Sequence, residues 1–203
     1  MTLTHSMTRC LAVTVLTLSA ATLFLATPAE AQPVPIVILN PKFDRNTLMC
    51  SPGSGCTQPS ITGWTVGPAT YVAKFSSTQY PSAPSTGLYC AAIGDSTVTG
   101  SIFQTTAATV QANTTYILTV TVGARADVVF TGYLASLVAG NDIVISGAKA
   151  TPVGGNFVTE VISYESGATP AQLGQPLQVL IESKGTGQVD ISDVVLTSTP
   201  TTP

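Results

Sequence analysis

Thr115-Tyr116-Ile117-Leu118-Thr119-Val120-Thr121-Val122 decides the fold. Successive side chains of an extended chain point to opposite faces, so Tyr116, Leu118, Val120 and Val122 share one face and three threonines lie on the other. That alternation predicts a half-buried strand. A helix would need apolar residues three and four apart, and only short stretches such as Thr106–Ala112 permit that. On either side of this segment the chain repeats short apolar runs rich in β-branched residues, broken by Gly, Pro, Asn or Asp. They are Ile36–Leu39, Ile61–Val66, Thr70–Phe75, Gly87–Ile93, Val98–Thr105, Val128–Val138, Asp142–Ser146, Asn156–Tyr164, Leu177–Glu182 and Val189–Leu196. About eleven strands at this spacing predict an all-β, antiparallel two-sheet β-sandwich, most simply a jelly roll.

The N-terminus has the three-part form of an export signal: Arg9, an apolar stretch from Leu11 to Leu25, then Pro28 and the small residues Ala29 and Ala31. This reading predicts a signal peptide over residues 1–31, one β-sandwich domain over 32–197, and a disordered Thr/Pro-rich tail over 198–203. The mature chain would begin at Gln32 and be secreted, whether extracellular, periplasmic or attached to the cell surface. No later apolar stretch reaches the roughly 20 residues of a bilayer span, so no membrane insertion is expected after cleavage. Charged residues make up 8% of the chain and the net charge is −3, which gives nucleic acid no electrostatic footing. Cys50 and Cys56 bracket the turn-forming Ser-Pro-Gly-Ser-Gly and are expected to form a disulfide, with Cys90 a buried free thiol; pairing of Cys90 with either remains the alternative.

The sole histidine, His5, lies in the signal segment, so the mature chain has no Ser-His-Asp triad, Cys-His pair or ordinary zinc site. Asp44, Asp95, Asp127, Asp142, Glu160, Glu165, Glu182, Asp190 and Asp193 fall in no recognisable catalytic pair. The chain therefore reads as a non-enzyme. Sugar recognition stacks aromatic rings on pyranose faces and satisfies hydroxyls with planar polar groups, which selects Tyr71, Tyr80 and Tyr133 with Arg125 and Gln104. Tyr80 stands in a loop between Gln79 and Pro81, where exposure is expected. Trp64, Tyr89 and Tyr116 read as core or strand residues. Arg125 is divided between clamping a ligand and pairing with Asp127. Asn113-Thr114-Thr115 matches a glycosylation acceptor but reads first as a turn.

A further set of motifs occurs in order: Asn40-Pro41-Lys42-Phe43-Asp44, Ile61-Thr62-Gly63-Trp64, Tyr80-Pro81 followed by Gly87, and Gly100-Ser101-Ile102-Phe103-Gln104. They continue with Asn113 to Leu118, Val122-Gly123-Ala124-Arg125, Gly132-Tyr133, Leu137 to Gly140, and Ile191-Ser192-Asp193-Val194-Val195-Leu196. Together they resemble the galactose-binding-like jelly-roll modules of bacterial exported proteins. The layout is also similar to an uncharacterised plant cell-wall domain family and to carbohydrate-binding modules attached to glycosidases. The resemblance implies a glycan-binding β-sandwich with a structural calcium near the chain ends, where Asp44 and Asp193 are the candidate ligands. Ser192 stands where an acidic residue is usual in the closing motif, and Asp44 where Glu is usual in the first. The expected function is a secreted, non-catalytic carbohydrate-binding-like module with polysaccharide or glycan as partner. The alternative is a structural or adhesive envelope protein.

Overall fold

The computed structural model describes residues 31–50, 55–83 and 87–201, and the expected signal segment lies outside them up to its last residue. The strands are β1 (Val34–Ile36), β2 (Cys56–Gln58), β3 (Thr65–Val66), β4 (Thr70–Phe75), β5 (Leu88–Ile93) and β6 (Ser101–Thr109), followed by β7 (Thr114–Ala124), β8 (Tyr133–Ala139), β9 (Asp142–Gly147), β10 (Asn156–Glu165), β11 (Pro176–Ser183) and β12 (Val189–Pro200). No helix occurs among the described residues. One sheet has the order β10-β7-β12-β5-β4-β2, with β1 also paired to β12, and the other runs β3-β6-β11-β8-β9. Every pairing is antiparallel. The chain is an all-β two-sheet sandwich of the jelly-roll kind.

The alternation in β7 works as its sequence requires. Tyr116, Leu118, Val120 and Val122 join the core between the sheets with Val189, Ile191, Val194 and Leu196 of β12 and Leu177, Val179 and Ile181 of β11. The register of β12 shifts between Ile191 and Asp193, so Ser192 is the extra residue that re-phases the strand. β12 extends past the expected boundary at residue 197, because Ser198, Thr199 and Pro200 keep pairing with Tyr116, Thr115 and Thr114. Cys50 and Cys56 are disulfide-bonded and Cys90 is free and buried.

A second, smaller apolar cluster of Ala73, Phe75, Tyr80, Cys90 and Ala92 is separate from the main core. Since Val189 and Ile191 face the core, the residue between them, Asp190, points to the opposite face of the larger sheet. The second cluster lies on that outer face, under the turn that follows β4. Ser76 to Tyr80 forms that turn, with Gln79 N and Tyr80 N both donating to Ser76 O at 3.1 Å, and Ala83 N donating to Tyr80 O at 2.8 Å.

Candidate active site on the outer face of the larger sheet

The strand registers set one row of residues across five strands: Tyr71 opposite Ala92, Ala92 opposite Asp190, Asp190 opposite Gly123, and Gly123 opposite Phe157. Directly paired residues share a face. The neighbours of Asp190 in this row, Ala92 and Gly123, are small, and the row is therefore a shallow tray with aromatic ends. The Tyr80 ring lies over it, stacked on Phe157 at 4.4 Å between centroids and 5.5 Å from Phe75. A Cβ on Gly123 would come within 2.3 Å of Phe157 and 2.7 Å of Tyr80 Oη, so only glycine permits this approach.

Asp190 is 1% exposed beneath that ring, and Tyr80 is 0% exposed. Tyr80 Oη lies 2.5 Å from Asp190 Oδ2, and Gln188 Nε2 donates to Oδ1 at 2.6 Å. Gln188 Oε1 accepts from Tyr71 Oη at 3.0 Å and from Arg125 Nη1 at 3.4 Å. Arg125 in turn donates to both oxygens of Asp127, from Nε at 2.9 Å and from Nη2 at 2.7 Å, and covers the Phe75 ring at 4.9 Å. The result is a buried carboxyl group with both oxygens partnered, under a rim of Tyr71, Gln188 and Arg125.

Burial pushes the Asp190 carboxyl up to about 7. Hydrogen bonds from Tyr80 and Gln188 and the charge of Arg125 oppose the rise, while Asp127 adds to it. Desolvation wins because a buried carboxylate loses its hydration shell and gains only partial replacement. The same burial, reinforced by Asp190, raises the Tyr80 and Tyr71 phenols and the Cys90 thiol above their ordinary values. Arg125 is partly desolvated, yet its hydrogen bonds and ion pair with Asp127 hold its pKa above the ordinary value, and the same bonds hold Asp127 below the usual carboxylate range. A carboxylic acid that keeps its proton near neutral pH, beside a phenol, is equipped to deliver a proton.

Of the residues singled out from sequence, Tyr71, Tyr80 and Arg125 come together here, and Tyr133 and Gln104 do not. Tyr133 is buried and donates to Glu160 Oε2 at 2.8 Å, where the backbone N of Ala150 also donates at 2.6 Å. That bond ties β8 of one sheet to β10 of the other. Gln104 is buried too, with Nε2 donating to Leu39 O and Gly63 O at 3.0 and 2.6 Å. The expectation of exposed tyrosine platforms is thus corrected for Tyr80 and Tyr133: Tyr80 is drawn down because small residues leave space beneath it, and Tyr133 because Glu160 needs a donor. Arg125 makes the expected ion pair with Asp127 and also reaches Gln188. Trp64 is a core residue whose Nε1 donates to Asn40 O at 3.2 Å.

Asp44 is exposed and Asp193 half-buried, and no group of three or more His, Cys, Asp or Glu residues capable of holding a metal occurs among the described residues. A separate cleft of about 480 Å³ beside Asn141, Asp142, Gln172 and Gln175 has Asp142 as its charged group, already bound by Gln172 Nε2 at 3.2 Å.

Fold and site together define a β-sandwich that carries a buried acid on the outer face of one sheet. Among solved structures the fold is similar to a Stig cyclase from Fischerella sp. TAU in complex with (3Z)-3-(1-methyl-2-pyrrolidinylidene)-3H-indole. Identity is 22% and the TM-score 0.73, over 84% of this chain and 100% of that one. A cyclase from the same source in complex with 4-(1H-indol-3-yl)butan-2-one matches at 22% identity and TM-score 0.72, with 84% and 100% covered. An apo-form cyclase from Fischerella sp. matches at 21% and 0.72, with 84% and 98% covered. No curated protein matches the chain. The model of the HpiC1 cyclase family matches residues 34–197, and the chain belongs to that family.

Membership overturns three expectations drawn from sequence. A non-catalytic carbohydrate-binding module is replaced by a member of a cyclase family. The absence of histidine did not exclude catalysis, because a single desolvated aspartic acid can act as a general acid without it. Polysaccharide as the partner gives way as well, since the related cyclases are complexed with small indole compounds. The expected two-sheet jelly-roll fold itself stands.

Proposed function

We propose that this protein is a cyclase that closes a ring in a small indole-bearing molecule by general-acid catalysis, with Asp190 as the acid. The observation that carries the reading is the position of Asp190: fully desolvated, acidic only near pH 7, and bonded to Tyr80. Protonation of a substrate π-bond generates a cation, an internal π-nucleophile forms the new carbon–carbon bond, and loss of a proton restores neutrality. The net change is isomerisation. Tyr71 and Phe157, the half-buried aromatic residues at the two ends of the row, supply aromatic surface that suits a flat indole and a developing positive charge. Tyr71 and Arg125, both half-buried, mark the side from which substrate would approach the acid.

The test is calorimetric titration with 4-(1H-indol-3-yl)butan-2-one. Saturable binding, weakened about tenfold or more in a Tyr71→Ala variant, is expected from loss of one aromatic contact. A flat titration with the folded protein would remove the indole assignment.

We further propose that the chain works after export, with residues 1–31 removed and residues 32–197 forming the domain. The Cys50–Cys56 disulfide supports this, because such bonds persist in oxidising compartments.

A further inference from the structure

Gln188 hydrogen-bonds both to its rim neighbours Tyr71 and Arg125 and to the acid. It precedes β12, is 5% exposed, and contacts Tyr71, Arg125 and Asp190 with its two amide atoms. A glutamine amide has one accepting end and one donating end, and which end faces which neighbour follows from the neighbours' chemistry. Arginine donates and cannot accept, so the oxygen of Gln188 must face Arg125. The NH₂ end is thereby turned to Asp190 Oδ1, which accepts from it at 2.6 Å.

We infer that Gln188, oriented by Arg125, is the positioning residue that places the acidic proton of Asp190 on Oδ2 by donating to Oδ1. This rests on the general-acid reading of Asp190. With Oδ1 occupied by an incoming N–H, the carboxyl proton sits on Oδ2, the oxygen that faces Tyr80 Oη. In the transfer, the Oδ2–H bond breaks as the substrate C–H bond forms. Asp190 ends as carboxylate, accepting from Gln188 and Tyr80. The proton lost from the cation returns by the same route.

The charged and titratable groups around the acid are Tyr80 from the turn after β4, Tyr71 on β4, Cys90 on β5, and Arg125 and Asp127 beyond the end of β7. Asp95, in the loop after β5, acts on Tyr71. Of these only Tyr80 is hydrogen-bonded to the acid, and Gln188 holds its other oxygen. Gln188 therefore decides the order of donors and acceptors.

A Gln188→Glu variant reverses that order. A carboxylate at this position still accepts from Arg125 and Tyr71, but it demands a proton from Oδ1 and so draws the acidic proton away from Tyr80. Gln188→Met removes the preference without reversing it. The full-length mature chain is assayed in D₂O for exchange of the C3 hydrogen of 2-methylindole, which requires a deuteron delivered to C3 and a proton taken away. In parallel, carbon-13 NMR of labelled aspartate follows the Asp190 carboxyl titration.

We expect Gln188→Glu to lower exchange about 100-fold and Gln188→Met about tenfold, within the range of general-acid contributions. Both variants should fold, and the Asp190 midpoint in each should move above that of the wild type. A residue that merely fills space would leave that midpoint unmoved. If Gln188→Glu exchanges within twofold of wild type, or the midpoint does not move, while Asp190→Asn is inactive, the positioning role is wrong and the acid reading stands. Wild-type protein that fails to exchange the probe, or Asp190→Asn that exchanges at the wild-type rate, overturns the acid reading itself.

Discussion

Asp190→Asn is expected to lower acid-catalysed turnover by about 10² to 10⁴, the range a positioned general acid contributes, with the fold intact. The substitution is close to isosteric, and it reproduces the hydrogen-bond order of the protonated acid. The amide oxygen accepts from Gln188 and the amide nitrogen donates to Tyr80. Lost activity therefore reports the missing proton and not a collapsed site. The measurement is a rate comparison on the 2-methylindole exchange, with a denaturation curve for each protein. A wild-type pH–rate profile belongs beside it: activity should decline as pH rises through about 7, where Asp190 gives up its proton to solvent. A profile flat from pH 5 to 9 would remove Asp190 from the proton path.

The second large effect is on stability. The folded-state pKa of Asp190 is about 7, against an ordinary aspartate value of about 3.9 in the unfolded chain. Between those two values the native protein holds a proton that the unfolded chain has released. Rising pH through this window therefore favours the unfolded state, and the contribution is complete above about pH 7. A window about three pH units wide corresponds to a loss on the order of 4 kcal/mol, at roughly 1.4 kcal/mol for each pH unit. Asp127, whose pKa is lowered by Arg125, acts in the opposite sense and only at lower pH. Urea unfolding of wild type and Asp190→Asn from pH 4.5 to 8.5 isolates the Asp190 contribution. The wild type should lose stability relative to the variant as pH rises, and a difference that is constant with pH would contradict the burial of an ionisable acid.

Much of the fold was legible because strand alternation reports which face is buried. Thr115–Val122 lies in β7, and the other predicted runs all overlap strands in two antiparallel sheets. The disulfide and the free thiol were legible from Cys50 and Cys56 flanking a turn. The site was legible only in part. Tyr71, Tyr80 and Arg125 were selected as exposed sugar contacts, yet they surround an acid that sequence placed among ordinary surface charges. Asp190 alternates with Val189 and Ile191, so its outward face was readable, and outward normally means solvated. What covers it is a turn from elsewhere in the chain, lying over small residues on three other strands. That burial is a tertiary fact, created by Ala73, Ala92 and Gly123 leaving room for one tyrosine. Gln188 carried no local signal, because its role depends on the alignment of β12 with Arg125.

The larger sheet keeps its two faces apart: the main core packs on one side, and Tyr80 and its companions form a separate cluster on the other. Substitutions in distant, unshared environments tend to act additively. This separation makes the outer tray an interchangeable part. Enlarging Ala73 or Ala92, both fully buried, would press on Tyr80 and recast the outer face, while the inner packing that holds the sandwich together is left to vary on its own.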